Sequence, residues 1–151
     1  MTSTAITDAY DGLVTLVSGA LPNHKKIANP YSLTDNMTPI LEQGYGIRIG
    51  PSKNPRRFVG GYRSTSRTFF VVITRELAAN ADDTTQCRAS ELAILEDAQA
   101  VMKAAEVNPT LSNKVTLSQW DQDSGIGYVQ EEKYKFLTLE IGCTVEYTET
   151  N

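Results

Sequence analysis

The chain holds one histidine, His24, and two cysteines, Cys87 and Cys143. A histidine acting as general base needs a nucleophile or a carboxylate held beside it. His24 precedes Lys25 and Lys26 in a proline-flanked stretch, which reads as a solvated loop. Cys87 falls near the start of an expected helix, where the dipole favours a thiolate. Its plainer reading is an ordinary small residue on that helix. Cys143 sits on the apolar side of an alternating run and belongs to the core. Two cysteines so placed form neither a disulfide framework nor a metal-ligand spacing.

Motif chemistry is equally sparse. The chain has no GxxxxGK[ST], HExxH, CxxC or GxSxG. GYGIRIG (44–50) has a GxG but lacks the third glycine and the following helix of a dinucleotide fingerprint. DQDSG (121–125) opens like a calcium loop, and Glu132 falls twelfth from Asp121. The sixth position, however, is Ile126 where that loop needs glycine, so an acidic turn is expected. No catalytic, metal-binding or cofactor-binding residue is expected, and the chain reads as a non-enzyme.

Charge distribution carries more information. Between Gln43 and Arg75 there are seven basic residues and no acidic one, leaving seven basic and eighteen acidic residues elsewhere. The segment therefore carries +7 against −11 for the rest. Arg48, Lys53, Arg56, Arg57, Arg63 and Arg67, with Phe58 and Tyr62 between them, have the composition of a contact surface. Arginine and aromatics are enriched at protein interfaces. The same residue types neutralise phosphates and stack on bases. A solvated basic loop is the third reading. For a contact between subunits, Asp121, Asp123, Glu131 and Glu132 are the candidate acidic counter-patch.

The elements that must position these residues follow from periodicity. Residues 4–20 repeat apolar positions at helical spacing (Ile6, Tyr10, Leu13, Val14, Val17), with Ser3 or Thr4 as N-cap. Residues 22–43 are irregular, with a short helix start at Thr38-Pro39. Tyr45, Ile47 and Ile49 alternate as a strand, and about 50–67 reads as a Pro/Gly-rich basic loop. Phe69, Val71 and Ile73 face one way and Phe70 and Val72 the other, so this is a central strand. A helix follows over about 85–106, entered through Asp82, Asp83, Thr84 and Thr85, with Ile94, Leu95, Ala98, Val101, Met102 and Ala105 as its stripe. A strand over 114–120 directs Val115 and Leu117 inward. The closing strand places Leu137, Leu139, Ile141, Cys143, Val145 and Tyr147 on one face, with a bulge expected near 136–137. The order predicts an α+β fold, a mostly antiparallel sheet with two main helices packed on one face.

At 151 residues, with 40% hydrophobic and 21% charged residues, one domain with its own core is expected. No apolar run approaches the roughly 20 residues of a membrane span. The N-terminal stretch lacks a basic region, and Asp8 and Asp11 interrupt it, which argues against a secretory signal.

The order of these features resembles the tail-terminator or neck proteins of long-tailed bacteriophages. The resemblance rests on the first helix, LPNHKKIANPYSLTDN (21–36), GYGIRIGP (44–51), the basic excursion, TFFVVITRE (68–76), the long helix and the closing antiparallel pair. It spans the whole chain. It implies a structural virion protein, made in the bacterial cytoplasm, that forms a hexameric ring at the head-proximal end of the tail tube. Such a ring stops tube polymerisation and joins the tail to the head. The implied partners are copies of the chain itself, a tail tube protein and a head connector protein, with passing contact to DNA in the lumen. The family supplies no catalytic residue to carry over. The alternatives are another phage joint protein (a head completion or tube subunit), or a small nucleic-acid-binding module using residues 48–75.

Overall fold

The computed structural model describes residues 5–27, 43–58, 62–77, 84–131 and 134–150. The elements in chain order are helix α1 (Ala5–Ala20), β1 (Lys25–Lys26), β2 (Gln43–Phe58), β3 (Tyr62–Glu76), helix α2 (Thr84–Val107), β4 (Leu117–Asp123), β5 (Gly127–Glu131) and β6 (Tyr134–Thr150). They form one six-stranded sheet in the order β1-β2-β3-β6-β4, with β5 also pairing β6. Every pairing is antiparallel except the two-residue β1–β2 contact. The α+β architecture expected from the sequence is the one observed.

Alternation explains how the sheet buries one face. Leu137, Leu139, Ile141, Cys143, Val145 and Tyr147 are all buried, as are Phe69, Val71 and Ile73 beside them on β3. Both helices pack on this side: Ala9, Leu13, Leu16 and Val17 from α1, and Ile94, Ala98 and Val101 from α2, join the same core. Ile6, Tyr10 and Val14 are only partly buried against it. The buried stripe of α1 is thus centred one position round from the expected one. Gly12 lets α1 approach the turn after α2, since a methyl group there would lie 3.0 Å from Leu111 Cβ.

Four local expectations need correction. The segment about 50–67 is not a loop. β2 and β3 pair from Gln43↔Arg75 to Phe58↔Tyr62, with register shifts between Ile49 and Ser52 and between Lys53 and Arg56. Pro51 and Pro55 fall inside these two shifts, where no rung needs their missing N–H, so they do not break the hairpin. The strand expected over 114–120 begins three residues later. Val115 is buried in the turn that precedes it, and Leu117 pairs with Glu146 and is 40% exposed, while Ser118 is buried. Residues opposite one another in an antiparallel pair share a face, and Glu146 alternates with the buried Val145 and Tyr147, so Leu117 points away from the core. No bulge occurs near 136–137 in the β3–β6 ladder, which runs unbroken from Tyr62↔Thr150 to Glu76↔Phe136. Phe136 instead points to the opposite face, buried with Ile27 and beside Val129. Finally, the acidic turn expected over DQDSG is shorter than that: β4 runs through Asp123 and β5 begins at Gly127.

The Ser3 or Thr4 cap, the helix start at Thr38-Pro39, and Asp82 and Asp83 lie outside the described residues.

Candidate functional site

The basic segment is an extension of the sheet rather than the expected loop. Its backbone forms the outer part of a three-stranded ladder, β2–β3–β6, that continues past the core residues Ile47, Thr65 and Tyr147 to the rungs Phe58↔Tyr62 and Tyr62↔Thr150. Lys53, Arg56, Arg57 and Phe58 occupy β2 opposite Ser66, Ser64, Arg63 and Tyr62. Among the described residues no strand pairs with the outer side of β2 beyond Tyr45.

Two of the expected contact residues are engaged inside the sheet. Arg48 stacks over the Phe70 ring, 5.2 Å from its centroid, and pairs with Glu140 on β6. Phe70 in turn lies against two glycines: a methyl group on Gly50 would sit 2.9 Å from Phe70 Cε2, and one on Gly142 3.9 Å from Cε1. Arg67 donates from Nη1 to the Gly50 carbonyl at 2.9 Å. Both guanidinium groups therefore brace the base of the hairpin.

The candidate acidic residues divide. Asp121 and Asp123 both lie at the end of β4 and border a groove against α2 with Ala98, Met102 and Ile141, but the Asp121 carboxylate faces the other side of the sheet, where a methyl group on Gly142 would sit 3.3 Å from its Oδ2. An adjoining groove adds Leu95, Gln99, Lys103 and Glu106 around the same Asp123. The volumes are about 350 and 570 Å³. Asp123 Oδ1 also accepts from Gly125 N at 2.8 Å, closing the turn where Gly125 takes a φ of 77°. Glu131 ends β5 opposite Tyr134, whereas Asp123 pairs with Ile141. That seven-residue separation along β6 amounts to about 23 Å, so Glu131 is not part of the Asp121/Asp123 patch. Glu132 lies outside the described residues.

His24 is not a solvated loop residue. Its side chain is 4% exposed, and Nε2 lies 3.1 Å from Asp97 Oδ2. An ionised carboxylate only accepts hydrogen bonds, so Nε2 donates in this contact. Arg75 of β3 grips the same carboxylate from the other side, Nε to Oδ2 and Nη2 to Oδ1, each at 3.0 Å. Burial alone raises the Asp97 pKa, but the hydrogen bonds and charges of His24 and Arg75 outweigh it and hold the group below its ordinary value. The cluster ties the segment after α1 to α2 and β3. The sequence did carry a signal for it: Asp97 lies three residues after Ile94 and four before Val101, inside the buried stripe of α2. A carboxylate at such a position requires a cation.

Among the described residues no group of three or more His, Cys, Asp or Glu is arranged to hold a metal ion, and no helix is long and apolar enough to cross a membrane.

No protein-family model matches the chain, and no curated protein matches it. Among solved structures, the chain is similar to one from a particle titled "Virion of native gene transfer agent (GTA) particle". The identity is 14% over 96% of this chain and 99% of that chain, at a TM-score of 0.31. A likeness at that score carries no argument about function.

Proposed function

We propose that the chain is a structural virion subunit that closes into a ring at the head-proximal end of a phage tail tube, ending tube growth and presenting a surface to the head connector. The resemblance in the sequence motivates this reading. The observation that carries it is the basic β2–β3 hairpin, hydrogen-bonded along its length and built into a sheet whose other edge carries Asp121 and Asp123. Different patches on the two sides of one subunit suit head-to-tail contacts, which close into rings when the rotation permits. The hairpin also favours a second reading, a tube subunit whose hairpin tiles against the adjacent ring. The nucleic-acid reading is weaker, because Arg48, Arg67 and Arg75 of the basic segment are all engaged within the fold.

Light scattering over a concentration series at two salt levels, with imaging of the large species, tests this. Discrete rings of fixed subunit number are the expected result. Stacked rings growing into tubes would transfer the assignment to a tube subunit. A monomer at every concentration that binds DNA with a steep loss in salt would overturn both.

A further inference from the structure

His24 joins helix α1 to the short strand β1. Its backbone N–H donates to the Leu21 carbonyl at 3.1 Å, and the next two residues, Lys25 and Lys26, pair with Gly44 and Tyr45 at the outer edge of β2. The Ile27 N–H then donates to the Tyr45 carbonyl at 2.7 Å. Both lysines are exposed, so the segment is anchored by the side chains on either side of them. Ile27 is buried with Phe136, and His24 is held to Asp97.

The surroundings of the ring favour one protonation state. Nε2 donates to Asp97 Oδ2, an oxygen that also accepts from Arg75 Nε. Nδ1 is buried and has no hydrogen-bond partner. In the neutral ring Nδ1 is a bare acceptor. Protonation turns it into a buried donor without an acceptor, the costlier omission because the ring then also carries charge. That charge meets a carboxylate already gripped at two points by Arg75. Among the described residues, Asp97 of α2 and Arg75 of β3 are the charged groups that meet at the ring. Lys25 and Lys26 of its own segment are exposed, Lys26 lying over the Tyr10 ring of α1, and Gly44 and Tyr45 of β2 bring no charge at neutral pH. An imidazolium therefore satisfies its Nδ1–H by turning out to water.

We propose that His24 is an acid-operated latch: the neutral ring pins β1 to the edge of β2, and protonation releases the segment. The released segment exposes the ring, and an exposed histidine takes up its proton near pH 6.5. The closed form binds that proton less readily, so closure is fully favoured above this pH and is lost as the pH falls below it. This window lies above the acid range in which Asp97 loses its charge. Among the described residues no strand pairs with the outer side of β2 beyond Tyr45, so release extends the open edge back to Gly44. An unpaired edge is a template for another strand, and the latch governs how much of it is uncovered. It is a property of the single chain and stands or falls separately from the ring.

Amide hydrogen exchange of the full chain, followed by NMR at pH 7.5 and 5.5 and corrected for the intrinsic effect of pH on exchange, tests it. Protection of the Ile27 amide is expected to fall about tenfold between the two. It is also expected to stay below that of the β3 amides, the mark of a local opening. In His24→Gln the side-chain amide can still donate to Asp97 but does not titrate, and Ile27 protection is expected to be the same at both pH values. Unchanged protection in the unaltered chain, or an equal fall in His24→Gln, would overturn the latch. So would Ile27 and the β3 amides exchanging together, since that is global unfolding. Should His24→Gln fail to fold, the ring nitrogen shifts of the unaltered chain decide. A bare Nδ1 in the closed form at pH 5.5 is expected, and two protonated nitrogens in a chain whose Ile27 stays protected would overturn it.

Discussion

Arg75 of β3 and Asp97 of α2 form a two-point ion pair, both nitrogen–oxygen distances 3.0 Å, and His24 Nε2 shares the Oδ2 oxygen of the same carboxylate with Arg75 Nε. Removing the carboxylate leaves a guanidinium 22% exposed and a histidine 4% exposed without their common acceptor. Breaking a buried pair by deleting one partner costs much more than the pair contributes, because the other charge stays desolvated. Asp97→Ala is therefore expected to lower unfolding stability by about 3 kcal/mol, measured by urea denaturation. A loss below about 0.5 kcal/mol, the range of ordinary surface changes, would mean that the cluster is solvated.

The same carboxylate sets an acid limit. Its folded pKa lies below the ordinary value of 3.8. The folded state therefore binds this proton less readily than the unfolded chain does. The resulting stabilisation is complete above the unfolded value and is lost as pH falls from about 3.8 through the folded value. Melting temperatures between pH 2 and 6 should fall in that window for the unaltered protein and fall less steeply for Asp97→Asn. Parallel curves would assign the acid limit to other carboxylates.

The frame of the fold was legible because its signals were periodic. The alternation of 137–147 and of 69–73 located the core face, and the helical repeats gave α1 and α2 nearly to their ends. What was misread depended on partners distant in sequence. Pro51 and Pro55 suggest a loop locally, yet β3 supplies the pairing that makes the segment a strand. Leu117 looks inward by composition, but its pairing with Glu146 turns it outward. At the site, Asp121 and Asp123 were legible as neighbours on one strand, but the register shift between Trp120 and Asp123 turns the Asp121 carboxylate to the Gly142 side of the sheet. Their separation from Glu131 depends on where β4 and β5 join β6. His24 gave no local hint of Asp97, 73 residues away. Only the acidic position inside a buried helical stripe pointed to it.

Gly50 and Gly19 should respond oppositely to alanine. A methyl group at Gly50 would meet the Thr68 carbonyl oxygen at 2.8 Å and the Phe70 ring at 2.9 Å. The oxygen belongs to the β3 backbone and cannot swing aside, so Gly50→Ala is expected to destabilise by about 1–3 kcal/mol. It should also disturb the Arg48–Phe70 stack. At Gly19, near the end of α1, nothing lies within 4 Å of the added carbon. Gly19→Ala should raise stability by about 0.5–1 kcal/mol through helix propensity. Thermal melts of the two variants check both signs. A neutral Gly50→Ala would show that β2 and β3 separate freely at that rung.

The two thiols should separate cleanly by reactivity. Cys143 is fully buried in the closing strand, and burial, with a smaller contribution from the charge of Asp121, pushes its pKa up to about 12. The thiolate is the reactive form, so near neutral pH Cys143 has neither the ionisation nor the access to react. Cys87 is half-buried in the first turn of α2. A chromogenic disulfide reagent is expected to titrate one thiol per chain in the native protein and two in denaturant. The slow native reaction of Cys143 should track opening of the sheet, and so accelerate in Asp97→Ala, whose core is less stable. Two fast thiols in the folded protein would show that β6 detaches from its neighbours without global unfolding, contrary to its place between β3 and β4.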